Sequence, residues 1–201
     1  FFAVIPKIAL FAVFIRMFQT VCSSFEDTLL IMSIFFSICS VIVGSFAALR
    51  QRKLKRLLAY SSVSHVGYLL LAFSSNSLEG THALFFYLVI YMITSLSLWS
   101  VILSINTSTN IERSKTLIDF ASVSSLNPLI GLTGMIALFS LAGVPPLAGF
   151  YAKMVIFLSA LSSGLVLVSL IAILASVISS VYYIRLNKIM YFEPKSDGSF
   201  V

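Results

Sequence analysis

The chain has 201 residues, 59% of them hydrophobic and only 10% charged. That balance excludes an ordinary soluble domain of this length. The net charge of +6 is not a nucleic-acid signal, because the basic residues collect in short segments between apolar runs, and no nucleic-acid partner is expected.

Several apolar runs reach roughly 18–22 residues, enough to cross a hydrocarbon core about 30 Å thick. They do not show the short alternating segments of a membrane β-barrel. The fold class is therefore all-α: a polytopic transmembrane bundle, read as a single domain over 1–201. Cys22 and Cys39 stand apart, with no Cys/His cluster, so neither a disulfide framework nor a metal site is expected. There is no glycine-rich phosphate loop and no iron–sulfur spacing. The chain is expected to bind no nucleotide or redox cofactor itself. The first apolar run lacks the features of a cleaved signal peptide, and the sequence starts at Phe1 rather than Met.

Six spans are expected in chain order. The first covers about 1–19 and the second about 28–49. A basic stretch, RQRKLKR, follows at 50–56 and is read as a solvated anchor. The third span covers about 57–74 and the fourth about 82–104. A polar loop, about 105–125, precedes a fifth span at about 127–161. Thirty-five helical residues would measure about 52 Å, too long for one straight crossing. Gly143, Pro145, Pro146 and Gly149 sit at its middle, and each proline lacks an N–H and clashes with the preceding turn. The fifth span is thus expected as a discontinuous helix in two halves. The sixth covers about 163–186, and Pro194 stops any helix in the polar tail.

Ten lysines and arginines fall on the side shared by both termini and the loops at 50–56 and 105–125, against Arg16 on the other. That asymmetry places both termini in the negative compartment. All seven acidic residues are expected in loops or the tail.

Three ionisable groups remain inside the spans. Lys153 lies four residues beyond Gly149 in the second half of the broken helix. An intramembrane lysine is costly and marks a functional site by default, here a group that loads and releases a proton. The alternative is a lysine reaching for an interface, which its depth opposes. Lys7 follows Pro6 in the first span, and a place near the inner interface is the competing reading. Arg16 and His82 are read as interfacial residues. His65 shares a helical face with Ser61, Ser62 and Tyr68 at i−4, i−3 and i+3. Such a group either relays a proton, with Ser61 and Tyr68 as polar support, or glues helices together by hydrogen bonds. Tyr87, Tyr91, Thr94 and Ser97 give the fourth span a polar side that can line the same interior. Gly44 and Ala48 form a small-xxx-small pair expected at a close helix contact.

At these residues the chain resembles a known family. KRLLAYSSVSHVGYLLLAF (55–73), SLAGVPPLAGFYAKMVIF (140–157) and VIPKIALFAVFIRMF (4–18) are similar to the tenth, broken twelfth and eighth helices of the antiporter-like proton-pumping subunits of respiratory complex I. SSVSHVGY in the third span, a lysine at 153 and the run LFFYLVIY favour the subunit 2 branch, with the mitochondrial inner membrane as the expected location. The resemblance implies that Lys7, His65 and Lys153 lie on a hydrated axis at mid-membrane. It implies the other membrane-arm subunits as partners, phospholipids such as cardiolipin at the basic face, and NADH, FMN, iron–sulfur clusters and ubiquinone on other subunits. It covers only about the eighth to thirteenth helices of that family. The first inverted repeat is not matched. Rivals are an Mrp-type or stand-alone cation/proton antiporter and a structural scaffold half. One expectation is a split subunit, in which a second polypeptide carries helices one to seven. Mass spectrometry of the intact native complex should then recover both polypeptides, whereas recovery within one longer chain overturns the split.

Overall fold

The computed structural model describes residues 5–20, 26–108 and 127–192. Seven α-helices and no strands occur among them: α1 (Ile5–Thr20), α2 (Glu26–Leu49), α3 (Leu54–Ser74), α4 (Leu78–Ser108), α5 (Pro128–Ala142), α6 (Ala148–Ser162) and α7 (Val166–Phe192). The fold is all-α. Four of these, α2, α3, α4 and α7, are long and apolar enough to cross a membrane. α1, α5 and α6 have 16, 15 and 15 residues, so a 15-residue helix reaches only about 22 Å.

Several boundaries differ from those read along the chain, for local reasons. Lys53 is extended and α3 begins at Leu54. Lys55 and Arg56 therefore belong to the first turn of α3 rather than to a connecting loop. Glu79 lies in the first turn of α4, where a carboxylate is favoured by the positive end of the helix dipole. This acidic group stands at a helix start rather than in a loop. α7 continues to Phe192 and carries Arg185 and Lys188, both exposed, on its last turns. Pro128 starts α5 after an extended Asn127, the position where a missing N–H costs nothing. Cys22, most of the polar loop and the tail with Pro194 lie outside the described residues.

α3 is the most buried of the four long helices. It packs against α2, α4, α6 and α7, while α4 packs on α5 and α6, and α7 on α2 and α5. α1 rests on the bundle through side chains, with the Phe14 and Phe18 rings 4.7 and 4.8 Å from Phe73. The outer faces remain apolar: Leu10, Ile31, Phe35, Leu167 and Leu174 are each more than 60% exposed. The interior, by contrast, holds many serines. Most return their hydroxyl to their own helix, but Ser37 donates to the Gly67 carbonyl of α3 at 2.9 Å.

The α2–α3 contact depends on small residues. Ala48 is fully buried, and a Cβ built on Gly44 would lie 2.6 Å from the Ser64 amide nitrogen and 2.9 Å from the Tyr60 carbonyl oxygen. Backbone cannot yield as a side-chain tip can, so Gly44→Val should force α2 off α3. We expect a cost of about 1–3 kcal/mol, read as a lower thermal midpoint or yield of the assembled protein. Val43→Leu, on the 56% exposed outer face, should leave both unchanged.

Candidate functional site

The site begins where α5 ends. Gly143 has φ 82° and closes the helix by donating to the Phe139 and Ser140 carbonyls at 3.0 and 3.1 Å, while Val144 N–H also reaches Phe139 O. This paired closure is the usual way a helix stops at a left-handed residue. Pro145 and Pro146, joined by a cis bond, occupy the turn and cannot donate backward. The turn is pinned by Leu147 N–H to Val144 O at 3.1 Å. Gly149 N–H donates to Ser140 Oγ at 3.2 Å and ties the first turn of α6 to the last turns of α5.

The closure leaves the carbonyls of Leu141 and Ala142 without partners inside α5. Lys153, one turn into α6 and 5% exposed, supplies them. Its Nζ donates to Leu141 O at 2.8 Å and Ala142 O at 3.0 Å. A cation at a helix C-terminus also meets the negative end of the helix dipole. The same Nζ lies 5.6 Å from the centre of the Tyr68 ring, within cation–π range. Lys153 is thus buried rather than reaching for an interface.

His65 is 4% exposed and sits at the centre of α3. Its Nδ1 lies 2.6 Å from Tyr87 Oη of α4, and its Nε2 lies 3.0 Å from Tyr183 Oη of α7. Tyr91 stacks obliquely on the imidazole, at 4.8 Å between centroids. Lys7, half-buried on α1, places Nζ 3.4 Å from Tyr91 Oη and 5.6 Å from its ring centre.

Two cavities border these groups. The larger, about 270 Å³, is lined by Lys7, Ser61, Ser62, His65, Tyr91 and Tyr183, and it reaches Lys55 at the exposed start of α3. The smaller, about 10 Å³, is lined by His65, Tyr87, Tyr91, Thr94, Ser140 and Lys153. A volume near 10 Å³ holds about one water when polar partners surround it. His65 and Tyr91 border both spaces. Lys7 therefore opens onto the first, Lys153 onto the second, and His65 lies between.

The residues singled out along the chain occupy distinct positions here. Ser61 returns its hydroxyl to Leu58 O at 2.8 Å and borders the larger cavity. Tyr68 does not bond His65; its ring approaches the imidazole edge-on at 6.1 Å and faces Lys153. Arg16 and His82 are exposed. Tyr183 was not foreseen. The pair Tyr182-Tyr183 within an apolar run was its available signal. Among the described residues no group of three His, Cys, Asp or Glu side chains could hold a metal ion.

The sequence pattern of the family described as "NADH:quinone oxidoreductase/Mrp antiporter, TM" matches residues 1–179. The chain belongs to that family and is a multi-pass membrane protein. It is 42% identical over 197 residues to NADH-ubiquinone oxidoreductase chain 2 of Marchantia polymorpha, covering 98% of this chain and 39% of that one. It is 38% identical over 197 residues to NADH-quinone oxidoreductase subunit N 1 of Rhizobium meliloti (strain 1021), covering 96% and 40%. The chain thus spans about two fifths of the length of the curated relatives it matches. Among solved structures, it aligns with a chain of respiratory complex I from Thermus thermophilus with bound aureothin, at TM-score 0.71 and 34% identity over 82% of this chain and 37% of that chain. A chain of the Mrp complex from Dietzia sp. DQ12-45-1b shares the fold, at TM-score 0.75 and 23% identity, covering 83% and 31%.

The α5 terminus tests the site directly. A Cβ on Gly143 would stand 3.1 and 3.2 Å from Lys153 Cδ and Nζ, and an alanine in the left-handed region costs about 1–2 kcal/mol. Gly143→Ala should displace Nζ from its carbonyls and lower the thermal midpoint of the assembled protein. A wild-type midpoint would show that the lysine does not depend on this closure.

Proposed function

We propose that this chain forms part of a proton-translocating membrane-arm subunit of an NADH:quinone oxidoreductase, with Lys7, His65 and Lys153 as the proton-carrying groups. The observation that carries this reading is the pair of cavities that both border His65, with one lysine on each. A structural bundle gains nothing from placing three titratable groups around two neighbouring cavities.

Lys153 suits the role chemically. An ammonium has three N–H groups and a neutral amine has two. Two bonds to the Leu141 and Ala142 carbonyls can be kept in both states. Only the third position, toward the interior, need gain or lose the proton. The end of α5 thereby holds the amine in place while its charge changes. Lys7 has a longer bond to Tyr91, at 3.4 Å, and a more open surrounding, which suits exchange with water in the larger cavity.

In this reading α5, the Gly143–Leu147 turn and α6 make one discontinuous crossing, so the chain crosses six times with both termini in the negative compartment. The mitochondrial inner membrane is the proposed location. NADH, FMN, iron–sulfur clusters and ubiquinone would sit on other subunits, and redox chemistry there would drive the charge changes here. The unmatched first repeat would complete the path, on the same polypeptide or on a second one. Phospholipids, cardiolipin among them, would contact Lys55, Arg56, Arg185 and Lys188.

An Mrp-type antiporter component is the second reading, favoured by the shared fold with the Dietzia complex. Co-purification with redox subunits separates the two. Within the complex, Lys153→Met should leave assembly and NADH oxidation by a soluble acceptor intact while lowering the number of protons moved per NADH. Unchanged stoichiometry in that variant and in Lys7→Met would assign the chain a scaffold role.

A further inference from the structure

Each ring nitrogen of His65 faces a different tyrosine, and each tyrosine borders a different cavity. Tyr183, on Nε2, lines the larger space and not the smaller. Tyr87, on Nδ1, lines the smaller space and not the larger. A neutral imidazole has one N–H donor and one bare acceptor nitrogen. With a phenol at each nitrogen, one hydroxyl must donate to the ring and the other must accept from it. The arrangement Tyr183–His65–Tyr87 is therefore a directional hydrogen-bond chain, and its direction is set by the tautomer.

Resting on the proton-carrying role proposed above, we propose that Tyr183 and Tyr87 are relay residues that pass a proton through His65 from one cavity to the other. The step balances as follows. With Nε2 bare, Tyr183 O–H donates to it and Nδ1–H donates to Tyr87. A proton entering from the larger cavity bonds to Tyr183 Oη, and the original phenol proton moves to Nε2. The Nδ1 proton moves to Tyr87 Oη, and the original Tyr87 proton leaves to water or amine in the smaller cavity. One proton enters, one leaves, and both phenols end neutral. The ring is left as its other tautomer. That tautomer carries a proton only in the opposite direction until the ring resets, so two protons cannot follow one another unchecked. A sheath of hydroxyls serving only to satisfy His65 would not need to divide between two cavities.

The test uses the complete complex in native membranes or liposomes, comparing Tyr87→Phe, Tyr183→Phe, the double variant and Lys153→Met. Phenylalanine keeps each ring and removes only the hydroxyl. Loss of a positioned proton-transfer group slows transfer by about 10²-fold or more. Each tyrosine variant should therefore lower the protons moved per NADH to the level of Lys153→Met, with assembly unchanged. Both hydroxyls lie on one serial path, so the double variant should be no worse than either single one. Independent packing roles would instead give additive losses and would overturn the relay. Wild-type stoichiometry in the tyrosine variants, with loss in Lys153→Met, would overturn it while leaving the lysine function standing. Wild-type stoichiometry in all four would remove the function itself. Failure of both single variants to assemble would make the hydroxyls structural and also end the assignment.

Discussion

The interior of this bundle is organised by one contact, the Lys153 amine on the terminal carbonyls of α5. Ending a helix inside a packed interior leaves backbone acceptors that water reaches poorly, and leaving them unpaired is costly. Burying an amine there is also costly. Placed together at 2.8 and 3.0 Å, each relieves the other. This explains why the interruption and the lysine occur as a unit, ten residues apart from Gly143 to Lys153. The turn sets the carbonyls, Ser140 fixes the start of α6, and one further helical turn delivers the amine.

From that point outward the polar interior is built by helix packing rather than by any one segment. α3 brings His65 to the centre because it is surrounded by α2, α4, α6 and α7. α4 and α7 then supply a phenol to each face of the imidazole. The serines extend this interior at little cost, since nearly all can return their hydroxyl to their own helix. Close approach of α2 at Gly44 keeps α3 from tilting away. The result is an interior with two cavities that border His65, inside an exterior that is almost wholly apolar.

Much of this was legible along the chain because membrane physics restricts the choices so strongly. Long apolar runs meant helices, and the two adjacent prolines fall in the turn between α5 and α6. Lys153 and His65 stood out because the surrounding residues are apolar. Boundaries were less legible, because α3 and α7 continue into Lys55 and Lys188, where exposed charge carries no penalty for helix. Tyr68 shows the limit of reading one helical face. Its spacing from His65 suggested a hydroxyl partner, yet its ring turns to Lys153, a residue 85 positions away.

Residue order alone established a polytopic helical membrane protein and singled out Lys7, His65 and Lys153 among its apolar segments. Each follows from the cost of placing polar atoms in hydrocarbon, which depends on local sequence. The pairing of His65 with Tyr87 and Tyr183, the caps supplied by Lys153 and the separation of two cavities by one imidazole were decided only by the tertiary structure. Hydrogen bonds act over about 3 Å, and helices that are distant in sequence can meet at many rotations and heights. Only the packing of small residues, rings and turns selects the rotation at which these atoms face one another.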